Sequence, residues 1–248
     1  EASMDHPTLP AADLRQITRR LGNREVLRNL SLQIPRGRLT GLLGPSGSGK
    51  TTLVKLLAGI DKADEGEVTV LGRSMPALPV LQRIGYMAQS DALYADLTAK
   101  DNLVFFGKLY GLRGSRLQER IAAVMALVAL DDHLHKSVAA YSGGMKRRLS
   151  LAISLLHEPE LLLLDEPTVG IDPVLRQSIW RELLQLRDGG TTILMTTHVM
   201  DEAEKCDSIA FIRSGELTAA GSPRELMERS GASSIEQAFI AMGEGVTA

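Results

Sequence analysis

The octapeptide GPSGSGKT, Gly44 to Thr51, constrains this chain more than any other stretch. It fits G-x-x-x-x-G-K-[ST] and lies between an apolar run, LTGLLG (39–44), and a helix-like run, TTLVKLLAGI (51–60). That strand–loop–helix context is the one a phosphate-holding loop requires. Glycine lets the backbone take φ > 0 and approach an anion closely. The loop over Gly44, Pro45, Ser46, Gly47, Ser48, Gly49, Lys50, Thr51 and Thr52 then surrounds a phosphate with its backbone N–H groups, which every residue but Pro45 carries, and with the helix N-terminus. Lys50 adds a positive charge for the β/γ oxygens, and Thr51 offers a hydroxyl to Mg2+. Average amino-acid usage puts a chance match at on the order of 1%, so a glycine turn without a ligand is the weaker reading.

Around this loop, short apolar runs alternate with helical patterns. GEVTVLG (66–72), RIGYMAQ (83–89), LLLLD (161–165), TTILMTTH (191–198) and SIAFIR (208–213) read as strands. The all-apolar LLLLD is what a parallel sheet covered on both faces demands. Strands separated by helices predict an α/β layered fold. Residues 90–159 differ, with helical patterns at 102–112, 116–130 and 146–157 and no strand pattern. They read as a helical subdomain inserted into an α/β core over 13–89 and 160–222. Residues 1–12 read as a flexible tail, and 223–248 as a C-terminal helical tail. Met4 is expected to begin the natural chain, with Glu1-Ala2-Ser3 left by cloning.

The chain has 248 residues, one cysteine and a net charge of −2. That length supports a large core, so no disulfide or metal is needed to hold it together. Cys206 fits a reducing compartment and reads as a small half-buried hydrophobe. The charge gives no basic field for nucleic acid. No apolar run approaches the roughly 18 residues that cross a bilayer.

Chemistry-bearing residues recur at strand ends. Asp165 ends LLLLD, where a buried carboxylate is costly unless it meets a cation. Mg2+ beside the loop would supply one, through water. Glu166 follows and can polarise water for in-line attack. Gln89, an amide at the end of its strand, could ligate Mg2+. His198 could contact the γ-phosphate. Taken singly, either is an ordinary strand-end side chain. Ser142-Gly143-Gly144 reads as a second anion-holding helix start, with Ser142 as N-cap. Lys146, Arg147 and Arg148 crowd its first turn, either beside an anion or facing solvent and acids.

GPSGSGKT, YMAQ, YSGGM, LLLLDEP, VGID and TTH, in this order, closely resemble the ATP-binding-cassette (ABC) family of transporter nucleotide-binding domains over roughly residues 13–222. The resemblance implies a P-loop NTPase (RecA-like) core with a mostly parallel sheet, an antiparallel β subdomain near the N-terminus and an inserted helical subdomain. It implies an Mg-dependent ATPase with Glu166 as base, His198 as γ-phosphate sensor and Lys50 as phosphate anchor, while Thr51, Gln89 and Asp165 serve the metal. It also answers why there are two anion sites. Two cassettes would stack head to tail, each Ser142-Gly143-Gly144 closing over the partner's ATP, with Asp172 of VGID linking the sites. The partner would be a second copy or a relative. The helical segment from Asp91 to Tyr110, with Leu93, Tyr94, Leu97, Phe105, Phe106 and Tyr110, would receive a helix from a transmembrane permease on a separate chain. That places the protein at the cytoplasmic face of the cell membrane, powering an exporter of the drug, lipid or polysaccharide branch. The alternatives are a soluble ABC ATPase acting on ribosomes or DNA, and a nucleotide-binding module without turnover. No N-K-x-D guanine motif is present. Three positions depart from the family pattern: Leu21 where an adenine-stacking aromatic is usual, Met145 for Gln, and Ala88 for Pro.

Overall fold

The computed structural model describes residues 9–90 and 92–244. Its strands are β1 (Ala12–Leu21), β2 (Arg24–Ile34), β3 (Leu39–Leu43), β4 (Glu65–Val70), β5 (Arg73–Ser74), β6 (Ile84–Met87), β7 (Leu161–Asp165), β8 (Thr192–Thr197), β9 (Ser208–Arg213) and β10 (Glu216–Gly221). Its helices are α1 (Lys50–Leu57), α2 (Leu78–Leu81), α3 (Ala99–Leu109), α4 (Gly114–Leu127), α5 (Gly143–Leu155), α6 (Pro173–Asp188), α7 (Met200–Ala203), α8 (Pro223–Ser230) and α9 (Ile235–Glu244). One sheet has the order β2-β1-β4-β5 and is antiparallel; the other has the order β10-β9-β3-β8-β7-β6.

In the larger sheet, β6, β7, β8, β3 and β9 run parallel, and β10 closes the edge as a hairpin with β9. Alternation along β7 explains its composition. Leu162 and Leu164 join the core shared with α3, α4, α5 and α6, whereas Leu161 and Leu163 join the core shared with α1 and the antiparallel sheet. Every leucine of the run therefore faces a core. The pairings Met87↔Leu164, Asp165↔Thr196 and Leu43↔Thr197 bring the C-terminal ends of four strands to one edge. Gly44, Gln89, Asp165 and His198 lie at or just beyond those ends.

Several expectations need correction. The helix expected over 51–60 runs from Lys50 to Leu57; Gly59 takes φ +69° and Ile60 is exposed. The expected tail over 1–12 ends sooner, because Ala11 and Ala12 are buried and Ala12 opens β1; its first eight residues, Met4 among them, lie outside the described residues. Residues 245–248 of the C-terminal tail do so too. The helical segment carries one isolated bridge, Thr98↔Ser137. β1, β2 and α6 emerged from no periodicity in the sequence. Register shifts between Leu14 and Arg20, with Gln16 at φ +51° and Asn29 at φ +44°, break the two-residue alternation of β1 and β2.

The helical segment meets the sheet closely. A Cβ on Gly85 of β6 would run into the Ser154 carbonyl oxygen of α5. Gly85→Ala is expected to destabilise the protein by about 1–3 kcal/mol through overpacking, read as a lower midpoint in urea denaturation.

Candidate active site

The loop between β3 and α1 is shaped before any ligand arrives. Gly49 takes φ +107°, and a Cβ there would lie 2.7 Å from Leu27 Cδ2 and 2.8 Å from the Val26 oxygen. Only glycine fits that combination of backbone and neighbours. Lys50 is buried, and its Nζ donates to the carbonyls of Gly44 (2.7 Å) and Pro45 (3.0 Å). Its ammonium is thereby held across the loop. Burial pushes the Lys50 pKa down, and the nearby charges of Glu166 and Asp165 oppose that shift.

Asp165 is buried at 1% exposure. Its Oδ1 accepts from Thr196 Oγ1 at 2.5 Å, while its Oδ2 is buried without a hydrogen-bond partner. A buried carboxylate oxygen with no donor is costly, so Asp165 fits a water-bridged or direct cation. Among the described residues no group of three or more His, Cys, Asp or Glu could hold a metal. A hard divalent ion here would therefore draw on phosphate oxygens, as Mg2+ commonly does.

Thr196, which the sequence reading missed, organises both acids. Its hydroxyl donates to Asp165 Oδ1 and accepts from the Glu166 N–H at 2.9 Å. The signal was the pairing of β7 with β8, which sets Asp165 opposite Thr196 and needs the sheet order to be known. Glu166 sits at φ +51°, and its carboxylate lies between two of the expected partners. Gln89 Nε2 donates to Oε2 at 3.4 Å, and His198 Nδ1 lies 3.3 Å from Oε1. With its amide N–H turned to Glu166, Gln89 leaves its carbonyl oxygen for a cation. His198 likewise leaves Nε2 for a phosphate oxygen.

A cavity of about 260 Å3 has Leu21, Arg24, Lys50, Thr51, Gln89 and Glu166 on its walls, while Asp165, Thr196 and His198 do not line it. Ser46, Gly47, Gly49 and Thr52 also line it. Leu21 thus stands where the departure from the family pattern mattered, half exposed at the cavity wall. Ser142, Gly143, Gly144 and Asp172 do not line this cavity. Ser142 Oγ accepts from the Met145 N–H (3.2 Å) and caps α5, with Ser142 and Gly143 exposed. Asp172 Oδ1 accepts from the Leu175 N–H (3.0 Å) and caps α6. Of the three basic residues after the signature, Arg147 is buried, which neither sequence alternative foresaw. Arg148 turns to the end of α4, donating to the carbonyls of Val128 and Ala129.

Known proteins match this chain in sequence and in fold. A family model described as "ABC transporter" matches residues 27–169. The linearmycin resistance ATP-binding protein of Bacillus subtilis (strain 168) is 39% identical over 90% of this chain and 73% of its own length. The Nod factor export ATP-binding protein I of Sinorhizobium fredii is 42% identical over 88% of this chain, which spans 64% of that relative. A probable multidrug ABC transporter ATP-binding protein of Escherichia coli (strain K12) is 38% identical over 92% of this chain, which spans 41% of it. Among solved structures, a dimeric ATP-binding cassette in a post-hydrolysis state with ADP and Pi matches with TM-score 0.78 and 26% identity, over 85% of this chain and 98% of that one. An ATP-binding subunit of an ABC transporter matches in fold with TM-score 0.88 at 24% identity, over 94% of this chain and 99% of that one.

Two outcomes follow from the cavity. Thr196→Val leaves both Asp165 oxygens without a donor, and kcat for ATP should fall about 10–100-fold, the range for outer partners of a reacting group. Leu21→Tyr should tighten ATP binding about 5-fold or more through base stacking, without changing the affinity for inorganic tripolyphosphate, both read by titration calorimetry.

Proposed function

The chain belongs to the ABC transporter family, and from that premise we propose that it is the ATP-hydrolysing subunit of a membrane exporter, driven by nucleotide-dependent pairing of two cassettes. The observation that carries the reading is the Glu166 carboxylate, held between Gln89 and His198 at the mouth of the phosphate loop. Glu166 takes the proton of the attacking water, and His198 Nε2 holds a γ-phosphate oxygen. Lys50 and the loop N–H groups hold the β and γ oxygens. Thr51, Asp165 and Gln89 would hold Mg2+, which would supply charge to offset that of the phosphates.

The second anion site belongs to the partner's nucleotide in this reading. Ser142 and Gly143 are exposed, Gly144 is partly buried, and the turn lies outside the chain's own cavity, so a second copy can reach it. Asp172, at the start of α6, stands at the seam. The dimeric state of the post-hydrolysis cassette supports such pairing.

The membrane side is read from an apolar groove of about 580 Å3. Phe106 and Tyr110 of the expected segment line it, and Leu78, Leu81 and Tyr86 supply a wall that the sequence reading did not include. Leu93 and Phe106 also pack on the helical core, while Tyr94, Leu97 and Phe105 are exposed. Asp91 lies outside the described residues. A helix from a permease on a separate chain would seat here, with the cassette at the cytoplasmic face of the membrane. No helix among the described residues is long and apolar enough to cross a membrane itself. The names of the relatives, which print linearmycin resistance, Nod factor export and multidrug transport, support the exporter reading, and the groove gives the ribosome- or DNA-acting alternative no comparable support.

Glu166→Gln keeps the shape of the side chain and removes its basicity. It should abolish steady-state phosphate release while retaining ATP binding, and the protein should elute as a dimer with ATP on size-exclusion chromatography. Normal phosphate release by that variant would remove Glu166 as the base.

A further inference from the structure

Arg147 is a buried cation of α5. It is 6% exposed, on the helix that Ser142 caps, about one and a half turns from that cap. Its guanidinium reaches two strand ends at once. Nη1 donates to the carbonyls of Ala88 (2.6 Å) and Gln89 (3.0 Å), beyond β6. Nη2 donates to the carbonyl of Glu166 (2.8 Å) and to that of Asp165, at the end of β7.

The contact with Glu166 has a particular consequence. Glu166 is a non-glycine residue at φ +51°, a left-handed conformation that persists only where surrounding groups over-determine it. Its N–H is fixed by Thr196 Oγ1 and its carbonyl by Arg147. The peptide on either side of the carboxylate-bearing Cα is therefore held from two different elements, β8 and α5. A planar fork can bridge both strand ends, whereas an ammonium offers a point charge without that geometry.

We propose that Arg147 is a positioning residue for hydrolysis: it ties the helix carrying the Ser142-Gly143-Gly144 turn to the backbone of Glu166 and Gln89. Engagement of that turn by the partner's nucleotide is thereby felt at the chain's own carboxylate. The proposal rests on the reading of Glu166 as base and of the turn as the partner's contact.

The test uses the full chain and ATP. Arg147→Met should lower kcat about 10–100-fold, as for other groups that orient a reacting side chain, while the affinity of dilute protomers for ATP stays within about 2-fold of the parent. Arg147→Lys should also lose rate, because it keeps the charge and loses the fork. If Arg147→Met fails to fold, Arg147→Lys carries the test. Ser142→Ala combined with Arg147→Met should be no slower than the slower single variant, since the two act in series. A normal kcat in both Arg147 variants overturns the proposal, as does a parallel loss of ATP affinity and thermal stability. Independent, multiplicative effects of the Ser142 and Arg147 changes overturn it too. If Glu166→Gln is inert while the Arg147 variants are normal, this inference alone fails. If Glu166→Gln hydrolyses normally, the base assignment fails and the inference falls with it.

Discussion

Burial of β7 on both faces sets the terms for the rest of the molecule. A strand whose leucines alternate between two cores must lie between other strands, and β6 and β8 flank it in parallel. Parallel strands end together, so the loops after them share one edge. The first polar side chain of the strand, Asp165, then emerges at that edge with its backbone still in the sheet. Its carboxylate is too deep for ready solvation. Thr196 answers one oxygen, and the other is left for the cation that the proposed reaction needs.

Much of this was legible in the sequence because it depends on local rules. GPSGSGKT announces a loop whose function is carried by its own backbone, and LLLLD announces a doubly covered strand. Gln89 and His198 were legible as strand ends, and the structure sets both beside Glu166. What the sequence hid depends on neighbours distant in the chain. Thr196 is one more threonine in TTILMTTH until the sheet order sets it opposite Asp165. Arg147 sits among three basic residues that look alike in a string, yet one turns into the protein and the next pins α4. β1 and β2 escaped for another reason: their bulges interrupt the period on which a strand is recognised, so only the family resemblance supplied the antiparallel layer.

Two buried charges flank the segment that follows β7, and each is matched by several partners. Arg147 holds the segment's start through backbone carbonyls. Glu202 accepts from the hydroxyls of Thr168 and Thr197, both at 2.6 Å, and from Trp180 Nε1 at 3.3 Å. It thereby joins the loop after Glu166 to the residue before His198. Buried ions with multiple hydrogen bonds are weak evidence for stability but give one arrangement preference over its alternatives. Cys206, whose thiol donates to the Glu202 carbonyl at 3.5 Å, is buried and has its pKa pushed up by that burial. It behaves as a small apolar neighbour of this network, with the thiolate disfavoured.

The two charged supports leave Glu166 and His198, the proposed base and phosphate contact, more open to solvent. His198 is 58% exposed, whereas the Glu166 side chain is 18% exposed. In water, the field of a carboxylate and an imidazole is heavily screened, and bulk solvent competes for the attacking position. Closure by a second cassette would change both conditions at once, excluding solvent and bringing an N-terminal turn to the phosphate. On the proposed reading, the open cavity and the outward-facing Ser142 turn are complementary halves of one device. The separation of the two anion sites within the chain is then what makes hydrolysis answer to pairing.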